Sequence, residues 1–206
     1  SNTTGLNNVS VGVNSLDANT TGNNNVAIGI NSLSANTTAE ANTAVGTNAL
    51  MVNTTGTQNV AVGQGALDAN TTGSSLTAVG YNAGSENTTA ANTTVIGHNA
   101  GDAITTGNNN VAVGSNSLSA TSTGSENVAI GTSALASNTT ASFNTAIGGA
   151  ALDANTTGSG NVVVGYNAGG ALTTGGSNTV VGTNALITQT TVASNTAIGN
   201  GAMEAN

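Results

Sequence analysis

The chain contains no lysine, no arginine and no cysteine, and charged residues make up only 4% of its 206 residues. Its eight acids are therefore unopposed, and the formal net charge at pH 7 is −8. This balance argues against a nucleic-acid partner, because binding to phosphates depends on lysine and arginine. It also argues against a polybasic contact with anionic lipid. No apolar run approaches the ~20 residues of a membrane-spanning helix, so we expect no membrane insertion.

Aromatic residues are about 1% of the chain, and a composition so poor in large apolar groups is typical of disorder. A strict period argues against disorder: one glycine recurs every 17 residues. A short fixed period predicts a solenoid, whose coils bury apolar surface only against their neighbours. We therefore predict an all-β parallel β-solenoid (β-roll) of about twelve 17-residue coils, with residues 1–206 as one continuous unit. The repeating glycines are Gly12, Gly29, Gly46, Gly63, Gly80, Gly97, Gly114, Gly131, Gly148, Gly165, Gly182 and Gly199.

The three residues before each glycine predict a short strand. In chain order they are valine or threonine, then a small residue, usually alanine, and then valine or isoleucine, as in Val26, Ala27 and Ile28. This alternation is typical of a strand. We expect the valine and isoleucine to face the core, the alanine to face outward, and the glycine to supply a positive φ or a tight corner. Four residues after the glycine, a leucine such as Leu33 is expected to enter the core from a second strand or arc. Three coils carry glycine instead and are expected to be underfilled: Gly84, Gly101 and Gly169.

The rest of each coil is a run of the type Asn-Thr-Thr-Gly, whose residues favour turns. Stacked at ~4.8 Å, equal side chains can also bond to the coils above and below. The asparagines of this run are formally glycosylation sequons, but a buried asparagine ladder is the simpler interpretation. The last threonine, which we treat as a second structural residue, is present in every coil: Thr4, Thr21, Thr38, Thr55, Thr72, Thr89, Thr106, Thr123, Thr140, Thr157, Thr174 and Thr191.

The chemistry-bearing side chains predict no catalytic, cofactor or metal site, and we expect no enzyme activity. Five acids share one position of the repeat, but the nearest two are two coils apart, roughly 10 Å, too far to share a calcium ion. We expect them to be solvated: Asp17, Asp68, Asp102, Asp153 and Glu204. The single histidine, His98, and the three aromatics Tyr81, Phe143 and Tyr166 are expected to lie on the surface, either as decoration or as contacts.

The run from Asn25 to Gly29, Asn-Val-Ala-Ile-Gly, resembles the head repeat of trimeric autotransporter adhesins (YadA-like heads), as does the run from Asn127 to Gly131. The Asn-Thr-Thr-Gly arrays are similar to repeats of phage tail fibres and other surface fibres. This resemblance implies a left-handed β-roll, packing of three chains about a threefold axis, and adhesion at a cell or virion surface. The coil of that family is shorter, at about fourteen residues, so the Asn-Thr-Thr-Gly segment is a departure from it.

Two functions remain open at this stage. The first is a structural extracellular fibre, the shaft or head of an adhesin, whose partners are copies of itself and a host or surface receptor. The outward alanines favour a homotrimer, and repeats that continue to both ends favour a piece of a longer array or an end-to-end filament. The second is an ice-binding solenoid that uses the threonine ladders.

Overall fold

The computed structural model describes residues 2–204 as a stack of coils with one three-residue strand in each. The strands form a single parallel sheet whose spatial order is the chain order, and no helix occurs in residues 2–204. Ser1, Ala205 and Asn206, which the repeat pattern includes, lie outside the described residues. The strands are β1 Val9–Val11, β2 Val26–Ile28, β3 Thr43–Val45, β4 Val60–Val62, β5 Thr77–Val79, β6 Thr94–Ile96, β7 Val111–Val113, β8 Val128–Ile130, β9 Thr145–Ile147, β10 Val162–Val164, β11 Thr179–Val181 and β12 Thr196–Ile198.

The register between neighbouring strands never changes along the rod. Every strand pairs with the next in parallel, and each residue lies beside its equivalent 17 positions later, as Ala44 lies beside Ala61. The turn segments are bonded in the same way, since the Leu33 amide donates to the Ala49 carbonyl at 3.1 Å and Leu50 repeats this with Ala66 at 3.0 Å. The predicted all-β parallel β-solenoid of 17-residue coils is therefore confirmed, with the leucine carried by an arc of turns.

The predicted orientation of the strands is wrong. In β2 to β12 the middle residue of the strand faces the core, and Ala27, Ala44 and Ala61 are fully buried. The flanking valines, isoleucines and threonines face outward, so the alanines cannot provide the contact surface on which the homotrimer expectation depended. The reason is the narrow cross-section of a coil with one strand: the leucine from the arc already fills most of it, and a small side chain opposite completes the packing.

The prediction that three coils are underfilled is also wrong. Where glycine replaces leucine, larger side chains from other positions occupy the space. A Cβ placed on Gly101 would lie 2.6 Å from the Val95 side chain and 2.9 Å from Ile104. Val163 lies near Gly169 in the same way, at 3.6 Å from such a Cβ. At Gly101 and Gly169 the space is thus filled from other positions of the same coil. At Gly84 it is filled instead by Leu67 and Val95 of the adjacent coils.

The leucine position has left-handed backbone geometry in every coil. Leu33 and Leu50 both have φ of 50°, and the glycines that replace leucine have φ of 57° to 62°. This conformation costs a residue with a Cβ on the order of 1–2 kcal/mol. Burying a leucine side chain contributes about 1.5–3 kcal/mol, which offsets that cost. Glycine adopts the same geometry without strain, which explains why it is the main alternative to leucine at this position.

The repeating glycine forms the corner at the end of each strand. Its φ lies between 126° and 140° in all twelve coils, a region that glycine alone adopts readily. A Cβ on Gly148 would lie 2.6 Å from the carbonyl carbon of Gly165 in the next coil. Both the backbone angle and the spacing of the coils therefore require glycine here.

We predict that Gly148→Ala lowers the free energy of unfolding by about 1–3 kcal/mol, because it adds left-handed strain and a clash with the next coil. The adjacent Gly149→Ala is the matched control, since Gly149 has no positive φ and its Cβ would lie 3.5 Å from the Tyr166 ring. Thermal unfolding followed by circular dichroism measures both. Equal stability of the two variants would contradict the role assigned to the corner glycine.

Candidate interaction surfaces

The outer sheet face is formed by the first and last residues of the strands. The first rank contains only valine and threonine and the second only valine and isoleucine, side chains that suit a pleated, half-buried surface. Neighbours in adjacent coils cover much of each side chain, yet Ile96, Ile130 and Ile147 remain 37–39% exposed. The first rank is Val9, Val26, Thr43, Val60, Thr77, Thr94, Val111, Val128, Thr145, Val162, Thr179 and Thr196, and the second is Val11, Ile28, Val45, Val62, Val79, Ile96, Val113, Ile130, Ile147, Val164, Val181 and Ile198.

The acids all lie in the turn segments and none lies in either rank of the outer sheet face. Asp17 and Glu204 are exposed as expected, whereas Asp68, Asp102 and Asp153 are partly buried. Burial raises the pKa of all three, and the charge of Glu86 raises the pKa of Asp68 and Asp102 further. Within residues 2–204, no three acids or histidines are grouped closely enough to hold a metal ion.

The two threonines of each run have different environments. The hydroxyl of the first donates to the backbone carbonyl of the equivalent residue in the next coil, as from Thr54 to Thr71 at 3.0 Å and from Thr71 to Thr88 at 3.0 Å. The last threonine, for example Thr72, is exposed in all twelve coils. Hydrogen bonds to its hydroxyl are absent throughout the described part of the chain. First threonines are exposed in some coils too, as at Thr37 and Thr54, but the hydroxyl of Thr54 is bonded to backbone. The last threonines, whose hydroxyls are not so bonded, form a rank outside the outer sheet face.

The asparagines that open the runs form a buried ladder. Asn53 donates from its side-chain amide to the Asn36 oxygen at 3.2 Å and to the Gly56 carbonyl at 2.9 Å, and Asn70 donates to Asn53 at 2.9 Å. Asn36, Asn53 and Asn70 are fully buried. Since a glycan would be attached through that same buried nitrogen, the fold leaves no room for one, and the ladder is the structural role of the run.

Where an apolar residue replaces asparagine, the ladder is interrupted and an asparagine oxygen in the adjacent coil has no hydrogen-bond partner. Ile104 and Leu172 take the asparagine position and have no amide to donate. The Oδ1 atoms of Asn87 and Asn155, one coil earlier, are buried without a hydrogen-bond partner. An unpaired buried acceptor costs about 1–3 kcal/mol. The apolar packing of Ile104 and Leu172 is therefore opposed by the loss of one hydrogen bond in each of these coils.

A second asparagine ladder, which the sequence reasoning missed, lies directly before the strands. The Asn25 oxygen accepts the Asn42 backbone amide at 3.0 Å, and the Asn42 side chain donates across the coil to the Gly56 carbonyl at 2.9 Å. The signal was present, because asparagine precedes ten of the twelve strands. The side-chain amides of Asn42 and Asn53 thus both donate to the Gly56 carbonyl. These two bonds join the turn to the start of the strand.

The histidine and the aromatic residues are exposed, as expected. Tyr81 and His98, which follow the corner glycines of adjacent coils, stack with ring centroids 5.4 Å apart and planes 12° apart. Tyr166 follows a later corner glycine, and Phe143 lies in a turn with φ of 63°. This outermost position beside the second rank varies from coil to coil, in contrast to the two ranks themselves.

Comparison with known proteins returned no relative. No family model, no curated protein and no solved structure matches the chain. The described residues include no helix of the length and apolarity that crossing a bilayer would require.

We predict that the free energy of unfolding is higher at pH 3.8 than at pH 7. Burial raises the pKa of Asp153 above its ordinary value of 3.8, so the folded state binds the proton more tightly than the unfolded state does. The resulting stabilisation is complete below the unfolded pKa and is lost as pH rises through the raised pKa. Asp68 and Asp102 act in the same direction.

The variant Asp153→Asn, which cannot titrate, is expected to be more stable than the parent at pH 7 and to show a shallower pH dependence. Urea unfolding at a series of pH values measures both effects. A parent stability that falls as pH decreases from 7 to 3.8 would contradict the assignment.

Proposed function

We propose that this chain is a structural rod, a segment of the shaft or head of an extracellular adhesin, appendage or virion tail fibre. The observation that carries the proposal is the unchanged register of all eleven strand pairings, from β1–β2 to β11–β12. Each added coil meets the same surface as the one before it, so such a stack grows in length without changing its cross-section. Eleven steps of ~4.8 Å give a rod of about 53 Å.

The side chains that recur in every coil support a structural and non-catalytic role. The asparagines and the first threonines of the runs are engaged in bonds between coils, as from Asn70 to Asn53 and from Thr71 to Thr88. These bonds recur along most of the rod and add to the backbone ladder. The repeated polar residues are thus used to hold coils together, which is what a rod requires.

Two observations support a place outside the cell or on a virion. The chain has no lysine or arginine and therefore no site for trypsin-like proteases. The Asn-Val-Ala-Ile-Gly runs resemble the repeat of surface adhesins, and the Asn-Thr-Thr-Gly runs resemble fibre arrays. Gold-labelled antibody to the chain, applied to intact producing cells or virions, is expected to mark their surface or their fibres. Label found only in the cytoplasm of sectioned cells would contradict this location.

Ice binding is the second candidate, and one observation favours it: the last threonine of every run is exposed in a single straight rank. It ranks lower because the hydroxyl of the first threonine in most pairs donates to backbone, so most runs present only one free threonine hydroxyl. Thermal hysteresis of the purified chain, present or absent, separates the two candidates.

We predict that removal of whole coils shortens the rod without unfolding it. Deleting residues 64–114 removes three coils and joins Gly63 to Ser115 in register. Small-angle X-ray scattering is expected to show a rod shorter by about 14 Å, because each coil contacts only its neighbours.

The control deletes residues 64–106, a length that is not a multiple of the repeat, and joins coils out of register. It is expected to be less stable to urea than the in-register deletion, because the coils at the junction cannot bond to each other. A compact body whose maximum dimension does not follow the number of coils would contradict the rod.

A further inference from the structure

We propose that the outer sheet face, made of the two ranks of strand side chains defined above, is the surface on which a second copy of this chain binds along the rod. The inference rests on the proposed function, since two rods can meet along their length only if the chain is a rod. It relocates self-association from the alanines, which are buried, to the valines and isoleucines, which are not.

The composition of the face fits burial better than it fits water. In the second rank every coil carries valine or isoleucine, and in the first rank half of the coils carry valine. Val60 and Val162 of the first rank are exposed, and Ile96 of the second rank is 39% exposed in the middle of the rod. A continuous stripe of this kind, running along eleven strand pairings, is larger than the scattered apolar groups of ordinary soluble surfaces.

The distribution of charge allows a second copy to bind at this face and not through the turns. The chain has a formal net charge of −8 and no cation, so two copies repel wherever their acids meet. All eight acids lie in turn segments, and the two ranks carry none. Contact between two outer sheet faces therefore places the neutral surfaces together and leaves the carboxylates in solvent, where salt screens them beyond about 10 Å.

The area of the face is sufficient for a specific contact. Eleven steps of ~4.8 Å and a strand of three residues about 10 Å wide with its side chains give roughly 500 Å² per copy. Two copies bury about 1,000 Å² in total, the lower limit for a specific protein interface. Since the area grows with every coil, longer stretches of the same repeat bind more tightly than this one.

The sameness of the face from coil to coil suits a copy of itself. Strands of one register place equal side chains at equal heights, as Ile130 beside Ile147, so two such faces can pack in the manner of stacked sheets about 10 Å apart. The residues beside the second rank vary in size, from Gly149 to Tyr166, and so do not continue this even surface.

The test compares two double variants of equal charge. Val79→Glu with Val113→Glu places carboxylates in the second rank of two coils. Thr89→Glu with Thr123→Glu places them on exposed threonines of the same two coils, outside the face. Sedimentation velocity from ~1 µM to ~1 mM in 0.15 M salt is expected to show self-association of the parent, loss of about 100-fold or more in association constant for the first pair, and a change within about 3-fold for the second.

Folding is checked by circular dichroism on the same samples. If the glutamate pair in the second rank unfolds the chain, Val79→Thr with Val113→Thr replaces it, because threonine already occurs in the neighbouring rank, and an intermediate weakening is expected. An equal loss of association in both glutamate pairs would overturn the proposal, because it would show a general charge effect.

A parent that sediments as a monomer at every concentration would also overturn the proposal. If scattering then still shows a rod of the expected length, the proposed structural function stands and only the self-association fails. If scattering shows no rod, the proposed function itself fails. Thermal hysteresis that is lost in the second-rank variants of a monomeric parent would assign the face to ice and overturn binding of a second copy.

Discussion

The hydrogen bonding between equal positions of successive coils is the constraint on which the rest of this molecule depends. Each coil is too small to hold a core of its own, and it gains order only by matching the coil above and below. The backbone ladder fixes the distance between coils, and the asparagine and threonine ladders use the same distance, as from Asn36 to Asn19 at 3.0 Å. Insertion of one residue in a coil would shift its donors and acceptors out of register with the neighbouring coils, which explains the strict repeat of 17.

A second constraint follows from the first: the inner space has no room for a large change in side-chain volume at one position unless neighbouring side chains adjust. The inner space is shared by the middle strand residue, the leucine of the arc and the first residue of the Asn-Thr-Thr-Gly run. When Gly101 takes the place of leucine, Val95 and Ile104 enlarge the other two positions of that coil. Ile104 preserves the packing but has no side-chain amide to donate. The Asn87 oxygen is therefore buried without a hydrogen-bond partner. Substitutions at the middle strand residue, the leucine position and the first position of the run are thus physically coupled.

The repeat length, the position of the strands and the corner glycines could be predicted from the sequence, because each depends on local chemistry that recurs in every coil. The direction of the strand side chains could not be predicted by alternation alone, because alternation allows two phases and both sides of Val26, Ala27 and Ile28 are uncharged. The decision depends on the coil's cross-section, and the coupled changes at Val95 and Gly101 were the available clue. The same limit applied to the surface, because a face built from valine and isoleucine has the composition of a core.

Because the valines and isoleucines of the strands face outward, the negative charge of the chain affects how two rods can meet. If the valines were inside, the absence of cations would only affect solubility. With the valines outside, the rod has an apolar side and a weakly acidic side, and the acids are all on the second. Self-repulsion is then directional, since it opposes contact through the turns and leaves contact through the sheet free. A single lysine in the turns would pair with carboxylates of other rods and permit other contacts. A chain of one charge sign therefore restricts how its copies can meet, and this restriction acts equally at every coil.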